Sequence, residues 1–260
     1  MALFKYKEKN IYYKNEGSGQ AVVLLHGFLE NLSMWDEIAL ELSKTYRVIR
    51  LDLPGFGQSD CIKEVHSMQL YAVYIHKLLL ALHIDDFSII GHSMGGYAAL
   101  QLSKLCPEKI NHLVLFHSTA NADSEKKKKN RDRAIKAVNA KKSSYLQTTI
   151  PFLFSKQFHK SCRAHIQKMI KEAETINTLG IKAALIAIRE REDLNETLKN
   201  LTCKKTYIAG TSDLVLSIQS LKKEALNNGA NFVEIENSGH MSHWENSKMV
   251  IKKIEKILRL

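Results

Sequence analysis

The sequence contains no stretch of about 18 consecutive apolar residues, the minimum length that a membrane-spanning helix requires. Its first residues, MALFKYKEKN, lack the apolar run of a secretion signal. There are only four cysteines, and none forms a CxxC pair, which is typical of reduced thiols in the cytosol. These absences predict a cytoplasmic protein without a membrane span, although a secreted chain that has lost its signal would show them too.

Acidic residues are too few to balance the basic ones: 38 Lys and Arg against 27 Asp and Glu give a formal net charge of +11. Such a surplus of positive charge can bind nucleic acid, an anionic surface or an acidic substrate. The sequence lacks zinc-ligand spacing, RNP-like aromatic residues and a recognition-helix pattern, so no nucleic-acid partner is expected. Much of the surplus lies in KKKKNRDR (126–133), which indicates a solvated helix face.

Strand and helix signals alternate through most of the chain. The strand candidates LFKYKEK, IYYKNE and AVVLLHG come first, and the last of them is apolar on both faces. Helical spacing then alternates with RVIRLD, FSIIGHS and HLVLFHS, and later with KKTYIAGT and NFVEIENS. This order predicts an α/β fold with a mostly parallel sheet of about eight strands and helices on both faces.

The alternation stops between Ser118 and about Asn200, where the sequence is helical and rich in lysine. We therefore expect a sheet domain made of residues 1–119 and 201–260, interrupted by a helical insertion over residues 120–200. The chain is expected to end in a helix from about Asn246 to Leu260.

Polar residues follow several of the predicted strands. The strand ends read HGF (26–28), DLPGFG (52–57), GHSMG (91–95), HSTA (117–120), GTSD (210–213) and SGH (238–240). Open parallel sheets carry their sites at this edge. A serine nucleophile needs a base within hydrogen-bond reach, and the base needs a group that orients it. Ser93, His240 and Asp213 are the candidates for these three roles.

The stretch GHSMG matches G-x-S-x-G, the pattern of a nucleophile elbow formed by Gly91, His92, Ser93 and Gly95. The serine sits in a strained turn, so its neighbours two positions away must be small for strand and helix to approach. The N–H of Met94 opens the helix and can bind an oxyanion. A second N–H is expected from Phe28, in the loop after the third strand.

Five segments together resemble the α/β-hydrolase superfamily, in particular its small, capped, cofactor-free esterases. They are LLHGF (24–28), DLPGFGQSD (52–60), GHSMGG (91–96), AGTSD (209–213) and SGHMSHWE (238–245). The resemblance covers roughly residues 1–119 and 201–260. It implies an α/β-hydrolase fold with a cap over residues 120–200, and a serine carboxylesterase that needs no metal or organic cofactor. It also implies that His26 and Gly27 organise the oxyanion loop.

Several residues compete with these assignments. His243 is a second candidate base, but the pattern places the base directly after a glycine, and we expect His243 to pack near Trp244. Asp123 is an alternative acid. Asp52 and Ser59 are expected to hold a turn. Trp35 and the segment PFLF (151–154) are expected either to pack in the core or to line the pocket.

The reaction itself is less narrowly predicted. A serine nucleophile argues for acyl transfer and against the dehalogenases and epoxide hydrolases of this superfamily, which use aspartate. The expected substrate is a small-molecule ester or thioester, and the protein is expected to be a monomer or homodimer. C–C bond hydrolysis, enol-lactone hydrolysis, perhydrolysis and ligand binding without catalysis remain alternatives. If the lysines of residues 126–129 face the entrance, an anionic substrate would be steered toward the site.

Overall fold

The computed structural model describes residues 2–259, so the predicted helix end at Leu260 lies outside the described residues. Eight strands follow one another in the chain: β1 (Ala2–Tyr6), β2 (Lys9–Glu16), β3 (Ala21–Leu25), β4 (Arg47–Leu51), β5 (Phe87–His92), β6 (Ile110–Phe116), β7 (Lys204–Gly210) and β8 (Asn231–Ile235). They form one sheet in the order β1-β2-β4-β3-β5-β6-β7-β8.

The sheet is mostly parallel. β1 pairs antiparallel with β2, and β2 antiparallel with β4. All other neighbours, from β4 across to β8, are parallel. The predicted α/β-hydrolase fold class is confirmed, and the carboxyl ends of β3 to β8 share one edge of the sheet.

Both faces of the sheet are buried, and β3 shows why its sequence is apolar throughout. Successive side chains of a strand point to opposite faces. Val22 and Leu24 join one hydrophobic cluster, while Val23 and Leu25 join the other, and all four are buried. Because helices cover both faces, the strand shows no polar alternation.

Ten helices lie within residues 2–259: α1 (Asp36–Leu42), α2 (Met68–Ala81), α3 (Met94–Leu105), α4 (Glu125–Phe152), α5 (Arg163–Thr175), α6 (Thr178–Arg189), α7 (Asn195–Asn200), α8 (Ile218–Asn227), α9 (Ser242–Glu245) and α10 (Ser247–Arg259). The buried side chains of α1 and α10 cover one face, and those of α2, α3 and α8 cover the other. None of these helices has the length and hydrophobicity to cross a membrane.

The chain between β6 and β7 is helical and contains α4 to α7. Helix α4 is interrupted at Lys141, whose φ of −158° and ψ of 87° divide it into a first half (125–140) and a second half (142–152). Helix α4 packs against α5 and α6. The division of the chain into a sheet domain and a cap stays a prediction.

Candidate active site

Ser93 lies in the turn between β5 and α3, with φ 48° and ψ −111°. A positive φ is uncommon for a residue with a side chain and marks a strained position. Two hydrogen bonds hold the turn: the Ser93 N–H donates to the Phe116 carbonyl of β6 (2.9 Å), and the Ser118 hydroxyl donates to the Ser93 carbonyl (2.8 Å). The backbone thus has the strained geometry that the elbow interpretation requires.

Gly91 and Gly95 allow the strand, the turn and the helix to approach closely. A Cβ on Gly91 would lie 2.4 Å from the Gly95 carbonyl oxygen. A Cβ on Gly95 would lie 2.4 Å from the carbonyl oxygen of Leu25, at the end of β3. Both distances are far inside van der Waals contact with backbone atoms, so these positions exclude any side chain.

His240 and Asp213 come from two other strand ends and meet directly. The Nδ1 atom of His240 lies 2.8 Å from Oδ2 of Asp213, and both side chains are buried. The second carboxylate oxygen accepts the N–H groups of Val215 (2.8 Å) and Leu216 (3.1 Å). Because Oδ2 is an acceptor, Nδ1 of His240 carries the proton and Nε2 is free to act as a base.

Sequence reasoning missed a second histidine on the same carboxylate. His117 follows β6 with φ 49°, and its Nδ1 donates to Asp213 Oδ2 at 2.9 Å. Its Nε2 lies 2.7 Å from the hydroxyl of Ser242, which can donate to this nitrogen when the ring is neutral. Burial lowers the pKa of His117 to about 4, which agrees with that neutral state. The strand-end position of HSTA was the available signal.

The charge of Asp213 is strongly stabilised. Burial by itself raises the pKa of this carboxyl group, but the charge and hydrogen bond of His240 and the hydrogen bond of His117 lower it well below its usual range. Asp213 therefore remains a carboxylate and can balance a positive charge that forms on His240 during a reaction.

The two expected oxyanion donors lie at the ends of β3 and β5. Phe28 borders the same cavity as Ser93, and Met94 opens helix α3. Neither N–H takes part in the main-chain or side-chain hydrogen bonds found within residues 2–259. Both groups are thus available to an oxygen atom of a ligand.

His26 binds the loop that carries Phe28. Its Nε2 accepts the Leu53 N–H (2.8 Å), so its Nδ1 carries the proton and donates to the Gly27 carbonyl (2.7 Å). Burial lowers the pKa of His26, in agreement with this neutral ring. The contact supports the expected role of His26 and Gly27 in shaping the loop.

Glu30 and His92 form a buried ion pair beneath this loop. Glu30 Oε2 accepts the Gly27 N–H and lies 2.9 Å from His92 Nδ1, while His92 Nε2 lies 3.0 Å from the His240 carbonyl. Both partners of His92 are acceptors, so both ring nitrogens donate and the ring is charged. Burial lowers the pKa of His92, but the Glu30 carboxylate outweighs this and the pKa is raised. Sequence reasoning did not identify Glu30.

The rival candidates lie elsewhere. Asp123 is paired with Arg131 (3.0 Å) and Arg191 (2.7 Å), and no contact joins it to His240 in the described residues. His243 is buried, neither of its nitrogens has a hydrogen-bond partner within residues 2–259, and its ring packs on Trp244 with centroids 4.4 Å apart. Neither residue competes geometrically with Asp213 or His240.

The remaining candidates are structural or line the pocket. Asp52 accepts the N–H groups of Leu32 and Gln58 (both 2.8 Å), and the Ser59 hydroxyl donates to the Asp52 carbonyl (2.7 Å). These bonds hold a turn, as expected. Trp35 is fully buried in the core. The segment PFLF divides: Phe154 is buried and stacks on Trp244, whereas Phe152 and Leu153 border the cavity.

A cavity of about 310 Å³ lies over the strand ends, within the usual size range of small-molecule sites. Ser93 and His240 form part of its floor. Helix α4 contributes one wall through residues of both its halves, namely Lys127, Asn130, Arg131, Tyr145, Thr149 and Phe152. The floor therefore brings together two residues that are 147 positions apart in the sequence, the difference between 240 and 93.

One group of metal-ligand side chains occurs within residues 2–259. The ligand atoms of His117, Asp213 and His240 lie within 4.8 Å of one another. Hydrogen bonds account for this proximity, because each histidine donates its Nδ1 proton to the carboxylate. A metal would have to displace both protons, so the donor set fits a hydrogen-bonded network better than a metal centre.

Known proteins resemble this chain along most of its length. The family model described as alpha/beta hydrolase fold matches residues 20–247. A thermophilic esterase from Thermogutta terrifontis is 28% identical, with a TM-score of 0.92 over 96% of this chain and 93% of that one. The enol-lactonase from Burkholderia xenovorans LB400 has the same TM-score at 22% identity, over all of both chains, and shows the fold alone.

Several curated relatives match only a shorter part of the chain. An uncharacterized protein of Mycobacterium tuberculosis is 36% identical over 103 residues, which are 40% of this chain and 30% of that protein. The chain thus spans less than a third of the length of that relative. Because one fold carries both an esterase and a lactonase, the reaction has to be argued from the site.

Proposed function

Because the chain belongs to the α/β-hydrolase fold family, we propose that it is a serine hydrolase that cleaves carboxylic esters or thioesters. The observation that carries this proposal is the contact between His240 and the buried Asp213 carboxylate, with Ser93 and His240 bordering one cavity. The esterase relative that matches nearly the whole chain at 28% identity supports the same class of reaction.

In the proposed reaction, His240 Nε2 takes the proton of the Ser93 hydroxyl as Oγ attacks the substrate carbonyl carbon. The electron pair of the C=O bond moves to oxygen, and the N–H groups of Phe28 and Met94 bind the resulting oxyanion. Collapse of this intermediate breaks the bond to the leaving group, which takes the proton from His240.

Water then completes the cycle. His240 removes a proton from water as the oxygen attacks the acyl-enzyme, and it returns that proton to Ser93 Oγ when the acid product leaves. Asp213 keeps the Nδ1 proton in place and balances the charge on the ring in both half-reactions. Helix α4 and its neighbours act in this proposal as a cap that limits substrate size and excludes water.

The test compares Ser93→Ala with the wild-type protein on a series of p-nitrophenyl esters and the corresponding thioesters. We expect Ser93→Ala to lower kcat by about a thousandfold or more, because the nucleophile is lost. A fluorophosphonate probe should label Ser93 in the wild-type protein, as mapped by mass spectrometry.

The control is Ser220→Ala, because Ser220 is exposed on helix α8 and does not border the cavity that contains Ser93. This variant should keep wild-type turnover and labelling. Undiminished hydrolysis by Ser93→Ala, or labelling at another residue, would contradict the proposed role of Ser93.

A further inference from the structure

The part of α4 that lines the cavity containing Ser93 is not uniform. The first half of α4 contributes Lys127, Asn130 and Arg131, which share one helix face because they are three and four positions apart. The second half contributes no charged group to the lining, only Tyr145, Thr149 and Phe152. The cavity thus has one basic part and one largely uncharged part, and Ser93 lines the same cavity.

Only one of the four consecutive lysines borders the cavity. Lys127 is half-buried and lines it, whereas Lys126 and Lys129 are exposed, and Lys128 pairs with Glu125 on the surface (3.0 Å). The expectation that the whole run of residues 126–129 could face the entrance is thereby narrowed to Lys127.

The charges around Lys127 do not cancel. Asp123 is already shared by Arg131 (3.0 Å) and Arg191 (2.7 Å). Glu224 is occupied by neutral donors, which include the Ala120 N–H and the Tyr207 hydroxyl. Among the described residues, no carboxylate lies within ion-pair distance of the Lys127 ammonium group, so one cation is left over at this end of the cavity.

Glu30, the acidic residue that borders the cavity among the described residues, does not neutralise this cation. Glu30 is bound by the Gly27 N–H and by the charged ring of His92, so its charge is balanced locally. Burial lowers the pKa of Lys127; Asp123 opposes this effect, and Arg191 and Arg131 add to it. An anionic group of a ligand beside Lys127 would stabilise the charged form of this side chain.

We propose that the substrate carries a carboxylate in addition to its ester or thioester, and that Lys127 binds this carboxylate. The inference rests on the proposed function, since it places the reacting carbonyl at Ser93. A single uncompensated ammonium group matches one negative charge, and Asn130 and the remaining N–H groups of Arg131 can add hydrogen bonds to it. A phosphate dianion would call for more positive charge than this end of the cavity holds.

The experiment uses pairs of methyl esters with equal chain length. In each pair, one ester derives from a fatty acid and the other is the monomethyl ester of a dicarboxylic acid. A second set places the carboxylate on the alcohol part instead, which distinguishes the acyl side from the leaving-group side. We measure kcat and KM for the wild-type protein, Lys127→Gln, Lys127→Arg and, as the matched control, Lys129→Gln.

We expect the wild-type protein to prefer the carboxylated member of at least one set. Lys127→Gln should lower the ratio of kcat/KM, charged over neutral ester, by roughly tenfold or more, mainly through KM. Lys127→Arg should recover most of the ratio, and Lys129→Gln should retain it. An equal ratio in all four proteins, or a wild-type preference for the neutral member in both sets, would overturn the inference.

A binding measurement distinguishes failure of this inference from failure of the proposed function. Calorimetry with a dicarboxylic acid and with a hydroxy carboxylic acid, the charged products of the two sets, requires no turnover. If no ester is hydrolysed, the proposed function fails, and calorimetry still decides the inference. Binding of either product that weakens by about tenfold in Lys127→Gln and not in Lys129→Gln supports it, whereas binding that is absent for both products or independent of Lys127 overturns it.

Discussion

His117 and His240 donate hydrogen bonds to the same oxygen of one buried carboxylate, Asp213 Oδ2, at 2.9 and 2.8 Å. The two imidazole rings lie 5.4 Å apart and come from the ends of different segments of the chain. Because His117 is neutral, its hydrogen bond withdraws charge density from Asp213 without adding a positive charge. His117 therefore acts on the proposed base through Asp213, as a positioning residue.

Replacing His117 with leucine should change the pH dependence of turnover as well as its rate. Without the His117 donor, Asp213 offers its charge to His240 alone, so the acidic limb of the kcat/KM profile should move to higher pH. We expect kcat/KM at neutral pH to fall by roughly tenfold, as for other groups that orient a functional residue. The measurement is a full pH–rate profile with a p-nitrophenyl ester.

His117→Asn is the matched variant. Its side-chain amide can donate from the position of Nδ1, and asparagine tolerates the left-handed backbone at this residue, where φ is 49°. It should restore the wild-type position of the acidic limb. If both variants lose rate equally and neither shifts the limb, His117 has only a packing role.

The fold and some candidates for this site can be predicted from the sequence because they depend on local patterns. The fold follows from alternating strand and helix periodicity, and Ser93, Asp213 and His240 are candidates because each lies within five residues after the end of a strand. The contact of His117 depends on a left-handed backbone conformation, which no pattern in HSTA reveals. Likewise, the position of Lys127 among four lysines depends on how α4 packs on α5 and α6.

The buried pair of Glu30 and His92 should be coupled energetically. Both side chains are 1% exposed, so removing one charge leaves the other without a partner in a dry environment. We expect Glu30→Gln to reduce the free energy of unfolding by about 3 kcal/mol, the scale of other broken buried pairs. The measurement is urea-induced unfolding at neutral pH.

The double variant Glu30→Gln with His92→Gln supplies the control for that coupling. It contains neither charge, and the glutamine at position 92 can still donate to the His240 carbonyl. We expect the double variant to lose less free energy of unfolding than the two single variants lose together. The difference should be about 1 kcal/mol or more. Strictly additive losses would show that the two groups do not interact.

Gly95 should tolerate no side chain. Its Cβ would meet the carbonyl oxygens of Leu25 (2.4 Å) and His26 (2.6 Å), both in the backbone that leads into the oxyanion loop. Gly95→Ala should displace this loop from Ser93 and lower kcat by about a hundredfold, because small misplacements of reacting groups have effects of this size.

Gly229→Ala is the comparison for that substitution. Gly229, unlike Gly95, has a positive φ, of 60°, and a Cβ there would meet no atom within 4 Å. We expect a loss of about 1 kcal/mol in unfolding free energy from backbone strain and no change in kcat. Similar kcat values for the two variants would contradict the close approach at Gly95.

Acidification should destabilise the protein through its buried neutral histidines. Burial lowers the pKa of His66, His112 and His117 from 6.5 to about 4. Between these values the unfolded chain binds more protons than the folded one, so stability rises with pH across this window and falls as the pH is lowered from about 6.5 to about 4. Thermal unfolding from pH 7 to pH 4.5 should show this fall.

His112 lies outside the candidate active site, so its contribution to the loss of stability at low pH can be measured separately. Its Nε2 lies 2.9 Å from the Thr206 hydroxyl, a contact that the amide of His112→Gln can replace without titrating. This variant should lose less Tm than the wild-type protein between pH 7 and pH 4.5. The control is His83→Asn, because His83 is exposed and has a φ of 52° that asparagine accepts. It should follow the wild-type curve, and an equal fall in Tm for His112→Gln would show that His112 takes no part in the acid sensitivity.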